Sequence, residues 1–207
     1  MPEGGAVGFY SDWRGTGHEK GPAWETFHLT ELRELLELRY GAGRRRAVAG
    51  LSMGGLGAMG YTARHPGMFR AAASFSGLLH PLADVDFLLG LFSAYTPDPR
   101  AIWGDPQRDR EIWARHDPTK LAAQLRGTPL FVSSGDGRPG PFESSGARRD
   151  GIEPTVLRES RAFVTRLHEL GIPVRADFYG AGAHDWPYWE RELERALPML
   201  RASLDAR

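Results

Sequence analysis

Arg45-Arg46-Ala47-Val48-Ala49-Gly50-Leu51-Ser52-Met53-Gly54-Gly55 decides the fold. The run starts at a charged edge and stays apolar through Gly50, which predicts a short strand buried on both faces, as in a parallel sheet. Met53 to Arg64 continues as a helix rich in small residues, closed by His65-Pro66-Gly67. Between the two, Gly50-Leu51-Ser52-Met53-Gly54 fits G-x-S-x-G, placed after a strand and before a helix as a nucleophile elbow requires. The requirement is steric. The serine occupies a strained turn that lifts its oxygen above the sheet, and glycines two residues to either side let strand and helix backbones approach. The helix N-terminus beneath favours negative charge, and the Met53 N–H is aimed at a developing oxyanion.

Two other readings of the same residues carry less. Ser52 as a plain helix N-cap requires no chemistry. Gly55-Leu56-Gly57-Ala58-Met59-Gly60 fits the dinucleotide fingerprint G-x-G-x-x-G, but its glycines fall inside the helix rather than at its start. The acid that would hold a ribose is absent from the end of the next strand, where Phe75-Ser76-Gly77 stands. No cofactor is expected.

Outward from the elbow, helical and strand patterns alternate. Glu25 to Tyr40 has leucines at helical spacing and stops at Gly41 and Gly43. Phe69 to Phe75, Pro129 to Ser133 and Pro173 to Tyr179 read as further buried strands. Pro118 to Leu125 predicts a short helix, Thr155 to Leu170 an amphipathic one, and Tyr188 to Leu204 a terminal one with a bend at Pro198. Residues 78–117 form an irregular or helical excursion, and Gly135 to Glu153 a polar loop rich in Gly and Pro. Alternation of this kind indicates an α/β fold with a mostly parallel sheet flanked by helices, in a single domain over residues 1–207.

Composition excludes several classes. Twenty-six basic residues balance 26 acidic ones, which argues against a surface for nucleic acid. The absence of cysteine removes disulfides, thiolate metal sites and cysteine nucleophiles. No H-x-x-x-H pair occurs, and Asp84-Val85-Asp86 is too short for a calcium loop, so no metal site is expected. No apolar run reaches the length of a transmembrane helix. Met1-Pro2-Glu3-Gly4-Gly5 lacks the features of a signal peptide, and the chain as it stands reads as cytoplasmic.

A serine nucleophile needs a base, and in this kind of elbow the partners follow in the order serine, acid, histidine. Of seven histidines, His184 stands in a loop between the last strand and the last helix, where it can swing over the elbow. For the acid, Asp136, just past the third strand, and Glu159, in the following helix, are both candidates, and Asp185 is set aside as pointing elsewhere. Trp186, Tyr188 and Trp189 either line a pocket or pack the last helix.

Taken together, Met1-Pro2-Glu3-Gly4-Gly5 with Phe9-Tyr10-Ser11-Asp12-Trp13, Gly50-Leu51-Ser52-Met53-Gly54-Gly55, and His184-Asp185-Trp186-Pro187-Tyr188-Trp189 resemble the antigen 85 mycolyltransferases and the wider esterase D-like α/β-hydrolases. The resemblance spans essentially the whole chain. It implies an α/β-hydrolase fold and a serine esterase or acyltransferase working through an acyl-enzyme, with Ser52 as nucleophile and His184 as base. It favours Glu159 as acid, because Pro154 precedes it by five residues, and it places Trp186 in the substrate cleft. The implied substrate is a small ester or acyl lipid, with a sugar hydroxyl as an alternative acceptor. Members of this family carry roughly 80 residues ahead of the segment matched here, supplying the first strands and a second oxyanion donor. Their absence from this chain leaves either a misassigned start or a minimal or disabled hydrolase. It also leaves a sheet edge that favours a homodimer.

Overall fold

The computed structural model describes residues 8–16 and 20–205. Met1 to Gly5, which entered the sequence reading, lie outside them. Four strands form one parallel sheet in the order β1-β2-β3-β4: β1 (Ala47–Leu51), β2 (Ala71–Phe75), β3 (Leu130–Gly135) and β4 (Arg175–Gly180). The α/β architecture with a parallel sheet expected from the sequence is therefore present. Each strand lies within two residues of its expected start and end, and strand order follows chain order.

Period-two alternation assigns the faces of the sheet. Ala72, Leu130 and Val132, with Val48 and Phe178 packed against them, meet Met59 and Ala63 of α3 (Met53–Arg64) and Phe163, Val164 and Leu167 of α7 (Glu153–Glu169). Ala71, Ala73, Phe75 and Phe131, with Ala47, Ala49 and Leu51, meet Trp189, Ala196 and Leu200 of α8 (Trp186–Asp205). The result is helix–sheet–helix layering. β2 and β3 are wholly buried, while β1 is half-buried because it forms an edge of the sheet.

The expected N-terminal helix is a continuous helical stretch made of α1 (Trp24–Thr26), a π-helical turn (Phe27–Leu32) and α2 (Arg33–Tyr40), ended by Gly41 in the left-handed region. The excursion holds three short helices, α4 (Val85–Ser93), α5 (Arg100–Trp103) and α6 (Arg110–Arg115). They close a second core in which Phe9, Phe92, Trp103 and Trp113 meet edge to face or tilted. The Trp103 indole N–H donates to Ser11 Oγ at 2.9 Å, tying the excursion to the Gly8–Trp13 loop. The segment predicted as a helix over 118–125 is only a 3₁₀ turn, Ala122–Leu125. α8 runs on through Pro198.

α7 starts earlier than periodicity predicts. Asp150 Oδ1 accepts from the N–H groups of Ile152 and Glu153 at 2.8 and 2.6 Å, satisfying donors at the helix start. Pro154 occupies the first turn, where it lacks no needed hydrogen bond. Glu153 thus belongs to the helix and not to the preceding loop.

At the elbow, a Cβ on Gly50 would overlap the Gly54 carbonyl. Gly50→Ala is therefore expected to lower stability by about 1–3 kcal/mol, the usual cost of overpacking. A urea titration against wild type measures it. An unchanged midpoint would show that strand and helix are not in this close approach.

Candidate active site

Ser52 sits between β1 and α3 with φ 50° and ψ −121°, a conformation strained for any residue with a Cβ. Its N–H donates to Phe75 O at 2.9 Å, fixing the turn against the end of β2. Its carbonyl accepts from Gly55 N at 2.9 Å, but its side chain makes no capping bond to α3. The plain N-cap reading therefore fails, because the hydroxyl is not spent on the helix. Met53 N–H belongs to the first turn, whose donors have no intrahelical acceptor. Gly55 and Gly57 of the dinucleotide-like pattern lie within α3. A Cβ on Gly55 would strike Ser74 Oγ and one on Gly57 the Tyr10 ring, so these glycines serve packing.

His184 follows β4 by four residues, and its side chain is 9% exposed. Its Nδ1 lies 2.8 Å from Glu153 Oε2, and Glu153 is completely buried. A carboxylate can only accept, so Nδ1 carries the proton and Nε2 is left with its lone pair. The other carboxylate oxygen, Oε1, accepts from Ser76 Oγ at 2.7 Å and Gly135 N–H at 2.7 Å, and Ser134 Oγ lies 2.9 Å away. A buried charge survives only when paired and hydrogen-bonded, and here both oxygens are engaged.

Neither carboxylate expected from the sequence is the one hydrogen-bonded to His184. Asp136 is salt-bridged to Arg138 at 2.7 Å, and that side-chain hydrogen bond holds its carboxyl below the usual range. Glu159 lies a turn and a half further along α7, where Oε2 accepts from His80 N–H at 2.9 Å. Six residues along a helix rotate the side chain well away from the Glu153 direction. Sequence reasoning missed Glu153 because it was assigned to the preceding loop. The available signal was the Asp150-Gly151-Ile152-Glu153-Pro154 string, an acidic cap three residues ahead of a glutamate and a first-turn proline.

A cleft of about 1080 Å³ runs along the free edge of β1 and is lined by Ser52, Met53, Tyr10, Leu36 and Trp186. Trp186 is 61% exposed, whereas Tyr188 and Trp189 are buried in the core. Of the three aromatic residues, only Trp186 takes the pocket position. Tyr188 OH donates to Glu143 at 2.6 Å, and Trp189 meets His184 edge to face at 4.9 Å between ring centroids. Ser52 Oγ makes no hydrogen bond to His184 among the described residues. What connects the two is the sheet edge: Ser52 N–H bonds Phe75 O, and the next residue, Ser76, bonds Glu153, the partner of His184. Catalytic hydrogen bonds are often long before substrate binds. Among the described residues no group of three or more His, Asp or Glu side chains is arranged to hold a metal ion. No helix among them is long and apolar enough to cross a membrane.

Residues 1–200 match the Esterase family. The diacylglycerol acyltransferase/mycolyltransferase Ag85B of Mycolicibacterium smegmatis is 31% identical over 99% of this chain and 66% of its own length. The Ag85A protein of Mycobacterium ulcerans is 31% identical over the full chain and 64% of its own length. The chain thus spans about two thirds of the curated relatives it matches. Among solved structures, MPT51 (FbpC1) of Mycobacterium tuberculosis superposes with a TM-score of 0.79 at 27% identity, covering 97% of this chain and 74% of that one. An S-formylglutathione hydrolase from Agrobacterium tumefaciens shares the fold, with a TM-score of 0.67 at 19% identity over 95% of this chain and 63% of that one.

Burial pushes the Glu159 carboxyl up to about 7, against the opposing pull of the His80 N–H. A carboxyl raised on folding stabilises the fold fully below its unfolded value, near 4.5, and that contribution is lost as pH rises through about 7. Wild type should therefore lose more stability between pH 5 and 7.5 than Glu159→Gln, which keeps an acceptor for His80 N–H and never ionises. Denaturant midpoints at the two pH values test this, and parallel curves would exclude it.

Proposed function

The chain belongs to the Esterase family, and on that premise we propose that it is a serine-dependent acyl-transfer enzyme acting on carboxylic esters. The observation that carries the reading is the buried His184–Glu153 pair, held at the same sheet edge as a serine whose hydroxyl is not used by its helix. Glu153 takes the role that the sequence offered to Glu159 or Asp136.

In this reading His184 Nε2 accepts the Ser52 hydroxyl proton as Oγ bonds the ester carbonyl carbon. The carbonyl electrons move to oxygen, where the Met53 N–H and the α3 N-terminus favour the negative charge. Glu153 stabilises the imidazolium and holds its tautomer without taking the proton itself. Collapse of the tetrahedral species breaks the ester C–O bond, and the departing alkoxide receives the proton from His184. Water or an acceptor hydroxyl then resolves the acyl-enzyme by the same steps in reverse order of roles. The apolar cleft beside Ser52, with Trp186 exposed on its wall, accommodates the acyl portion. The relatives named as diacylglycerol acyltransferase/mycolyltransferase favour a hydroxyl acceptor, and therefore a lipid or sugar alcohol as partner substrate.

Turnover of p-nitrophenyl butyrate and labelling by a fluorophosphonate test the assignment. Ser52→Ala should abolish both. Glu153→Gln should lower kcat by roughly 10³–10⁴, as loss of the orienting acid does in serine triads, while Asp136→Asn and Glu159→Gln stay within about threefold of wild type. Equal rates for wild type and Ser52→Ala would overturn the reading. A larger loss in Glu159→Gln than in Glu153→Gln would return the acid role to Glu159.

A further inference from the structure

Three groups close a ring with the His184 imidazole. Trp189 presses its indole edge to face against His184, with centroids 4.9 Å apart and planes at 85°. The same indole donates its N–H to Ser76 Oγ at 3.1 Å. Ser76 Oγ lies 2.7 Å from Glu153 Oε1, and Glu153 Oε2 lies 2.8 Å from His184 Nδ1. Ser76, Glu153 and Trp189 are all buried.

The direction of these bonds is fixed by proton count. An indole N–H can only donate. It therefore occupies a lone pair of Ser76 and leaves the single hydroxyl hydrogen for the carboxylate. Without the indole, that lone pair is unoccupied and the hydroxyl is held by the carboxylate alone. The backbone shows that the position is held deliberately: Ser76 stands at φ 47°, a left-handed conformation disfavoured for a residue with a Cβ. Its N–H donates to Ser133 O at 2.7 Å, which locks the strained turn onto β3.

We propose that Trp189 is a positioning residue for the His184–Glu153 pair, acting through the Ser76 hydroxyl as well as through ring contact. The inference rests on the acyl-transfer reading for its catalytic consequence, but its structural half concerns the His184 Nδ1 proton alone. Trp189→Phe keeps an aromatic ring beside the imidazole and deletes the indole donor. Ser76→Ala deletes the hydroxyl at the same backbone angle.

A double-mutant cycle decides it. Each single variant should lower kcat for p-nitrophenyl butyrate, Ser76→Ala by roughly 10-fold as befits a lost hydrogen bond to a charged group, with KM within about twofold. The double variant should be no slower than Ser76→Ala alone, because the indole has nothing left to orient. In ¹⁵N-histidine-labelled protein the His184 Nδ1–H resonance should exchange faster with solvent in both single variants. Multiplying kcat effects with an unchanged Nδ1–H exchange rate would overturn the proposal, even if the melting temperature falls. An inactive wild type whose Nδ1–H still responds in both variants would sink the acyl-transfer reading and leave the positioning role intact. An active wild type without that response would do the opposite.

Discussion

The close crossing of β1 and α3 at Ser52 is the constraint from which the rest follows. A strand can turn directly into a helix here only because Gly50 carries no side chain where the Gly54 carbonyl sits; a Cβ on Gly54 itself would only touch the Tyr10 ring at van der Waals distance. The turn is strained by its left-handed serine, and such strain of order 1–3 kcal/mol persists only where surrounding structure over-determines it. That surrounding structure is visible. Ser52 N–H is bonded to the end of β2, and Ala71–Phe75 is wholly buried between β1 and β3. The strain therefore leans on the most deeply packed part of the molecule.

The same economy governs the carboxylate. Glu153 is buried completely, a placement that would be costly for an unpaired charge. Its partners come from three separate elements: Ser76 after β2, Ser134 and Gly135 at the end of β3, and His184 after β4. Glu153 itself opens α7, whose dipole favours negative charge at that end. By contrast Glu159, deeper in the same helix, has one backbone donor and the neighbouring charge of Asp117, and burial leaves it easier to protonate. Two buried glutamates on one helix thus sit among different sets of donors.

Much of this was legible in the residues. Short apolar runs, glycine stops and the elbow pattern located all four strands; burial on both faces gives β2 and β3 a strong and simple signal, while β1 and β4, expected as buried, are only partly so because they lie at the two ends of the strand order. The placement of Ser52 and His184 was legible too, since Ser52 directly follows β1 and His184 stands in the short loop four residues after β4. The acid was not. A carboxylate is chosen by direction, and direction depended on where α7 begins. Asp150 capping Ile152 and Glu153 moved that start ahead of the apolar periodicity. The aromatic residues after His184 divided for an equally physical reason. Helical geometry turned Trp189 inward to the sheet and left Trp186 at the cleft. The excursion resisted reading because its helices are short and its stability comes from tryptophans that meet only in three dimensions.

The parallel order β1-β2-β3-β4 has one more effect. Every strand delivers its contribution at or just beyond its carboxyl end, so Ser52, Ser76, Ser134 and His184 arrive at a common rim from four successive chain passes. None of these groups is local to another in sequence, and no partial sheet brings them together. The rim is consequently complete only when all four strands stand in register, since each supplies its group from a separate pass of the chain.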